Sequence, residues 1–223
     1  MSDILTTTTD QDPTAPSTVA TPTPPKAAKT KNRFDVVQPV LEKLFELYPH
    51  LFGAKFLPLK LGIFQDLLAA HPEVFARDTL KAALSVHARS TRYLQCVASG
   101  LARHDLAGLA VEPVAPEHLF LAMVELFQRR QARHPEDLRP KLQAQLALAY
   151  EQSGLSRQDY LARIGAPSEV VQAVLDQAMD SIDQLRARHA ALKRSFESSG
   201  KTRQEFADML GMNLAELDRA LAI

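Results

Sequence analysis

Large apolar residues are nearly absent from residues 1–33, and regular periodicity begins only after them. From Asp35, a residue suited to an N-cap, Val37, Val40, Leu41, Leu44, Phe45 and Tyr48 fall on one helical face. Pro39 sits in the first turn of that helix, where a missing N–H has no helical partner to lose, and Pro49 stops it. The pattern predicts a second helix from Leu59 to Ala70, ended by His71-Pro72. A third is predicted from Asp78 through His87, with Leu80, Ala83, Leu84 and His87 in helical register. The rhythm then changes. Tyr93–Val97 and Ala102–Leu106 flank Ala98-Ser99-Gly100-Leu101, which predicts a short helix or strand, a turn and a returning strand. Asp105–Gly108 is a further turn. Residues 34–109 therefore read as a small hairpin on a helical body.

From Pro116 onward the periodicity is helical, with segments at 116–133, 136–153, 156–164, 168–198, 202–210 and 213–222. An internal repeat runs through this half at an offset of 46 residues. Tyr150-Glu151-Gln152-Ser153-Gly154 matches Phe196-Glu197-Ser198-Ser199-Gly200, and the register holds through Ile164-Gly165 and Leu210-Gly211 to Leu175 and Leu221. Each copy, about 150–175 and 196–221, reads as a capped helix, a glycine turn and a second helix, the helix-turn-helix shape. The long helix between the copies carries a seam at spacings of four and three: Val171, Leu175, Ala178, Ile182, Leu185, His189, Leu192 and Phe196. Such a seam serves either self-association through 168–198 or packing against neighbouring helices of the same chain. The fold class expected is mainly α: a small α+β domain at 34–112, then an all-α region at 113–223. Residues 1–33 are expected to be a disordered tail, because their side chains cannot offset the entropy of ordering.

Composition narrows the picture. No apolar run is long enough to cross a bilayer, no signal-peptide pattern opens the chain, and the single Cys96 forms no internal disulfide. A reducing cytoplasm is the expected location. The formal net charge is zero but unevenly spread. Residues 1–25 carry net −3, residues 26–110 carry 12 Lys/Arg against 7 Asp/Glu, net +5, and residues 111–223 carry 14 against 16, net −2. The middle segment is suited to a polyanion. Within it, the stretch between Asp78 and Asp105 contains no acid at all. It holds Lys81, Arg89, Arg92 and Arg103, with His87, His104, Ser90, Thr91 and Tyr93 among them. Cations for phosphates, open N–H groups at a helix start and a Tyr to stack on a base are what recognition of single-stranded RNA requires. The alternative is a solvated basic helix face with Tyr93 in the core, and spacing leaves the two open. The seven His show no ligand spacing, and no phosphate-cradling Gly loop or Ser nucleophile motif is present. No cofactor, metal or catalytic residue is expected, and the chain reads as a binding module rather than an enzyme.

Three stretches together resemble the ProQ/FinO family. Pro58-Leu59-Lys60-Leu61-Gly62-Ile63-Phe64-Gln65-Asp66-Leu67-Leu68 is similar to the motif that opens the family's second helix. Ala88-Arg89-Ser90-Thr91-Arg92-Tyr93-Leu94 resembles its central motif, and Ala102-Arg103-His104-Asp105-Leu106 with Gly108 its hairpin and turn. The resemblance covers about 34–109. It implies a bacterial RNA chaperone acting in post-transcriptional regulation. The partners implied are small regulatory RNAs and mRNA 3′ ends, held by the lower stem and U-rich tail of a terminator hairpin. Lys60, Lys81, Arg92, Tyr93 and Arg103 match family positions on the RNA-binding face, and Arg89 and Ser90 lie in the same central motif. Ser85 stands where some members carry another base, and Ala107 replaces an Asp or Asn common in the last turn. The rival function is a DNA-binding regulator that uses the C-terminal repeats. The would-be recognition helices oppose it, since 213–223 carries Glu216 and Asp218 against Arg219, and 168–180 carries Glu169, Asp176 and Asp180 with no base.

Overall fold

The structure, a computed structural model, describes residues 33–221; the expected tail lies almost wholly outside them. The first helix, α1 (Arg33–Leu47), is already formed two residues before Asp35, which therefore lies in its first turn rather than capping it. Among its described side chains, Val37 and Leu44 are buried. Phe45, expected on the buried face, is exposed beside the Phe56 ring, with centroids 6.3 Å apart. A single turn, α2 (Pro49–Phe52), follows and buries Leu51 and Phe52.

The helix expected from Leu59 begins only at Ile63, as α3 (Ile63–Ala70). Residues 58–60 are extended and pair with a strand more than 40 residues away: His104 N–H donates to the Pro58 carbonyl at 2.7 Å, and Lys60 N–H to the His104 carbonyl at 2.9 Å. Gly62, at φ 86°, turns the chain from this bridge into the helix, a conformation that a β-carbon disfavours. Then come α4 (Arg77–Ala88) and α5 (Thr91–Ala98). Of the two alternatives for Tyr93–Val97 the helix is the one formed, and the hairpin closes on the turn at Asp105–Gly108. Tyr93–Val97 is helical, and β1 (Arg103–His104) pairs antiparallel with β2 (Ala110–Glu112). The Asp105 carboxylate accepts the N–H groups of Ala107 and Leu109 at 2.9 and 3.0 Å, so the turn closes without a polar side chain at 107.

One buried cluster joins Leu44, Leu51, Phe52, Ile63, Leu67, Leu80, Tyr93 and Val97. The next helix, α6 (Pro116–Gln131), lies along α5 and gives Ala122 to this cluster, while Phe120 and Met123 on the same helix enter a second one. The expected boundary at 112/113 thus falls ahead of a helix that belongs to both cores. A fragment of residues 33–112 should consequently unfold at a lower denaturant midpoint than one of residues 33–133, by about 2–5 kcal/mol, since α5 loses the surface that covers Leu94 and Val97. Equal midpoints for the two fragments would show that α6 is dispensable to the first core.

The second cluster is built by α6 with α7 (Arg139–Ser153), α8 (Arg157–Ile164) and the first half of α9 (Glu169–Ser199). The last helices, α10 (Arg203–Leu210) and α11 (Leu214–Leu221), close a third, smaller cluster against the end of α9. The helices expected here are present to within three residues at either end, and the repeat is structural. Gly154 and Gly200 both end their helix at φ 63°. Ser156 and Thr202 cap the following helix through the N–H of Asp159 and Glu205. Tyr150–Tyr160 and Phe196–Phe206 form equivalent edge-on pairs, each at 5.3 Å. The seam is covered within the chain at most of its positions, with Leu185 left exposed. Val171, Leu175, Ala178 and Ile182 are buried in the second cluster, and Leu192 and Phe196 pack on the third. No helix among the described residues is long and apolar enough to cross a membrane.

Candidate nucleic-acid interface

The acid-free stretch folds into α4, the start of α5 and β1, and α6 completes its surface. Ser90 is the N-cap of α5; its hydroxyl accepts the Tyr93 N–H at 3.2 Å. The N–H groups of Thr91 and Arg92, at the head of the helix, have no protein acceptor among the described residues. Next to this helix start, a groove is lined by Leu61, Arg89, Tyr93, Arg103, His118, Arg129 and one carboxylate, Glu125, over a floor that includes Leu121 and Ala122.

Arg103 is the central cation. Its side chain is buried, at 7% exposure, beside the groove. One guanidinium nitrogen donates to the Leu59 carbonyl at 2.9 Å and another to His118 Nδ1 at 3.0 Å. Because the guanidinium can only donate, Nδ1 must be unprotonated, which fixes the His118 proton on Nε2 when the ring is neutral. No carboxylate pairs with Arg103 among the described residues. A buried cation is ordinarily matched by a carboxylate or shifted to its neutral form, and a guanidinium cannot take the second route.

Of the two readings that the spacing leaves open for Tyr93, the exposed stacking ring is not the one the fold adopts. It is 8% exposed, and its hydroxyl accepts the Leu59 N–H at 3.0 Å; burial raises its pKa. Tyr93 and Arg103 thus grip the two sides of one peptide segment, at Leu59 N–H and Leu59 C=O, two residues before the groove-lining Leu61. The core alternative describes Tyr93, because α5 turns it inward beside Val97.

The other expected residues divide. Arg89 is exposed at the end of α4 and lines the groove. The Lys60 ammonium is tied to Asp66 at 2.8 Å, and that hydrogen bond, with the carboxylate's charge, raises its pKa. Arg92 turns elsewhere: its guanidinium lies 4.5 Å from the Phe56 ring centroid and donates to the Ala54 carbonyl. Lys81 is exposed on α4, outside the groove. His87 does not belong to the basic surface at all. It is 4% exposed among Phe52, Phe56 and Tyr93, and burial, helped by the charge of Arg92, lowers its pKa to about 4. The ring is a neutral core residue at physiological pH.

Sequence reasoning missed His118, Leu121 and Arg129, all on α6. Arg129 Nη1 donates to the Arg89 carbonyl at 2.9 Å and so satisfies the end of α4, while its Nε holds Glu125 at 2.8 Å. The signal available is Arg129-Arg130 at the end of an amphipathic helix, but the sequence pattern places that helix in the following region. In the repeat region, Asp176 and Asp180 on α9 are both taken by Arg157, and Val171, Val174 and Leu175 are buried. The face of α9 that a DNA groove would meet is therefore acidic or inaccessible.

Residues 34–139 match the model of the ProQ/FINO family, a span that runs past Glu112 through the whole of α6. Proteins called RNA chaperone ProQ from Shewanella pealeana and Shewanella halifaxensis are each 38% identical over 84 residues, 36% of this chain and 40% of theirs. A namesake from Shewanella amazonensis is 35% identical over 91 residues, 39% of this chain and 42% of its own. The chain thus spans about two fifths of the length of the curated relatives it matches. A solved structure of a FinO-like RNA chaperone from Neisseria meningitidis is 32% identical and covers 39% of this chain and 89% of its own, with a TM-score of 0.36.

Proposed function

Given that residues 34–139 of this chain belong to the ProQ/FINO family, we propose that it is an RNA chaperone that binds structured RNA through the groove at the head of α5. The observation that carries this reading is Arg103. A guanidinium held in the protein wall, with a carbonyl and an imidazole for partners and no carboxylate, gains a counter-charge when a phosphate enters the groove. Arg89 adds positive charge at the rim, where Arg129 is paired with Glu125, and the open N–H groups of Thr91 and Arg92 favour an anion at the same end. The floor of Leu121 and Ala122 suits the flat face of a base or ribose. The 3′ end of a terminator hairpin in small regulatory RNAs and mRNAs is the substrate we favour. We favour a binding role, not catalysis, and no cofactor. Self-association through 168–198 is the less favoured use of the seam, whose apolar positions are largely spent inside the chain.

Fluorescence anisotropy with a hairpin that carries a 3′ U tail tests the reading. With about four phosphates contacted, the single-strand coefficient gives a log–log salt slope of about −3, so raising salt from about 50 to about 200 mM lowers affinity roughly 60-fold. Removing the tail should weaken binding further at either salt. A slope near zero, or equal affinity with and without the tail, would refute the placement of the 3′ end.

A further inference from the structure

A second cleft opens on the other side of the α5–α6 contact, where α7 joins them, and it straddles the end of the family match. Its polar lining comprises Gln95 and Ser99 from the α5 end, Arg130 from α6, and Lys141 and Gln145 from α7, above Leu126 and Leu142. No carboxylate lines it. Arg130 and Lys141 form no ion pair among the described residues, in contrast to Arg129, Arg139 and Arg157, each of which holds an acid. The Gln95 and Gln145 carboxamides likewise have no hydrogen-bond partner among the described residues, whereas Ser99 spends its proton on the Cys96 carbonyl. Two free cations and two free amide donors, brought together from three helices, make an anion-selective cleft. Arg129 lines the first groove and its neighbour Arg130 lines this one.

We propose that the α5–α6–α7 cleft binds backbone phosphates of the single strand that leaves the groove, so that α7, beyond the family-matched residues, is part of the RNA-binding surface. The inference rests on the RNA-binding reading above. It assigns the C-terminal half a direct role in binding, through Lys141 and Gln145, in addition to covering α6.

The test uses the full chain and the tailed hairpin. The double variant Arg130→Gln/Lys141→Ala removes two phosphate contacts and should reduce the magnitude of the salt slope by about 1.4, equivalent to about 25-fold in affinity near 0.1 M salt. Gln145→Glu, which places a carboxylate in the cleft, should weaken binding in the same direction and decides the matter if the double variant fails to fold by circular dichroism. Lys193→Ala/Arg194→Gln, which removes two exposed cations from α9 outside the cleft, should leave the slope unchanged. If the wild type binds RNA and the cleft variants match it in affinity and slope, the inference is overturned while the RNA reading stands. If the wild type has no affinity for RNA, both fall. Inorganic phosphate serves as the second probe. If phosphate alone shifts the Gln95 and Gln145 side-chain amide resonances and RNA does not, the cleft is a site for free anions and the RNA assignment is wrong.

Discussion

Arg103→Met will abolish tight RNA binding while leaving the domain folded. The substitution keeps an unbranched apolar stem of similar reach and removes the buried guanidinium. Two changes in stability oppose each other. The Leu59 carbonyl and His118 Nδ1 lose a charged donor, a loss of about 2–3 kcal/mol. An uncompensated buried cation disappears, which relieves a desolvation cost of similar size. The net change in unfolding free energy should stay within about 2 kcal/mol. Affinity has no such compensation. A charge-assisted contact to phosphate inside a protein wall contributes about 3 kcal/mol, so binding of the tailed hairpin should fall by about 100-fold or more. Arg103→Lys should recover only part of it, because an ammonium cannot reach Leu59, His118 and a phosphate at once from a single nitrogen. Anisotropy titration beside urea denaturation separates the two effects. Near-normal affinity in Arg103→Met would remove the observation on which the RNA reading chiefly stands. Tyr93→Ala is a poorer probe, because a buried ring that supports Leu59 cannot be removed without also opening a cavity in the first core.

His87 should make the domain acid-sensitive in a window of its own. Folded, its pKa is about 4; unfolded, it returns to about 6.5. Because the folded value is depressed, the stability is fully present above about 6.5. As pH falls below that value the unfolded chain takes up a proton that the folded one refuses, and the loss continues until the folded ring itself titrates near 4. The shift corresponds to a total of about 3 kcal/mol. The structural cause is plain: the ring is enclosed by Phe52, Phe56 and Tyr93, Nε2 has no hydrogen-bond partner, and Arg92 lies over Phe56. The experiment compares wild type with His87→Leu by urea denaturation at pH 7.5 and 4.5. Acid groups common to both cancel in the difference, and the wild type should lose about 2–3 kcal/mol more than the variant over that interval. Parallel losses would mean that the imidazole does not carry the sensitivity. The same window bears on function, since the aromatic cluster around His87 includes Tyr93, which helps hold the Leu59 segment at the groove.

What the sequence determined by itself is what local chemistry controls. Helical periodicity with Ser156 and Thr202 as caps and Gly154 and Gly200 as stops fixed the C-terminal helices to within three residues, because each signal acts within one or two turns of chain. The 46-residue repeat was legible for the same reason. So was the basic stretch, since an acid-free run needs no partner to be seen, and three spaced motifs were enough to point to the family. Long-range contacts decided the rest. Pro58 and Lys60 stand next to a helical pattern, yet His104 takes the Pro58 carbonyl and the Lys60 N–H, and only a strand more than 40 residues away can do so. Tyr93, His87 and Arg92 lie within seven residues of one another in a uniformly polar-looking stretch. The packing of α4 and α5 buried the first two and turned the third onto Phe56. The place of α6 in two cores was invisible because an amphipathic pattern shows that a helix must be covered, not by what. Of the residues chosen from the sequence, tertiary packing brought Arg89, Tyr93 and Arg103 to one groove and left Lys81 and Arg92 outside it, and it supplied His118 and Arg129 from a helix assigned elsewhere. A sequence states which side chains carry charge; where that charge is left without a counter-ion, as at Arg103, is settled only when the chain closes around it.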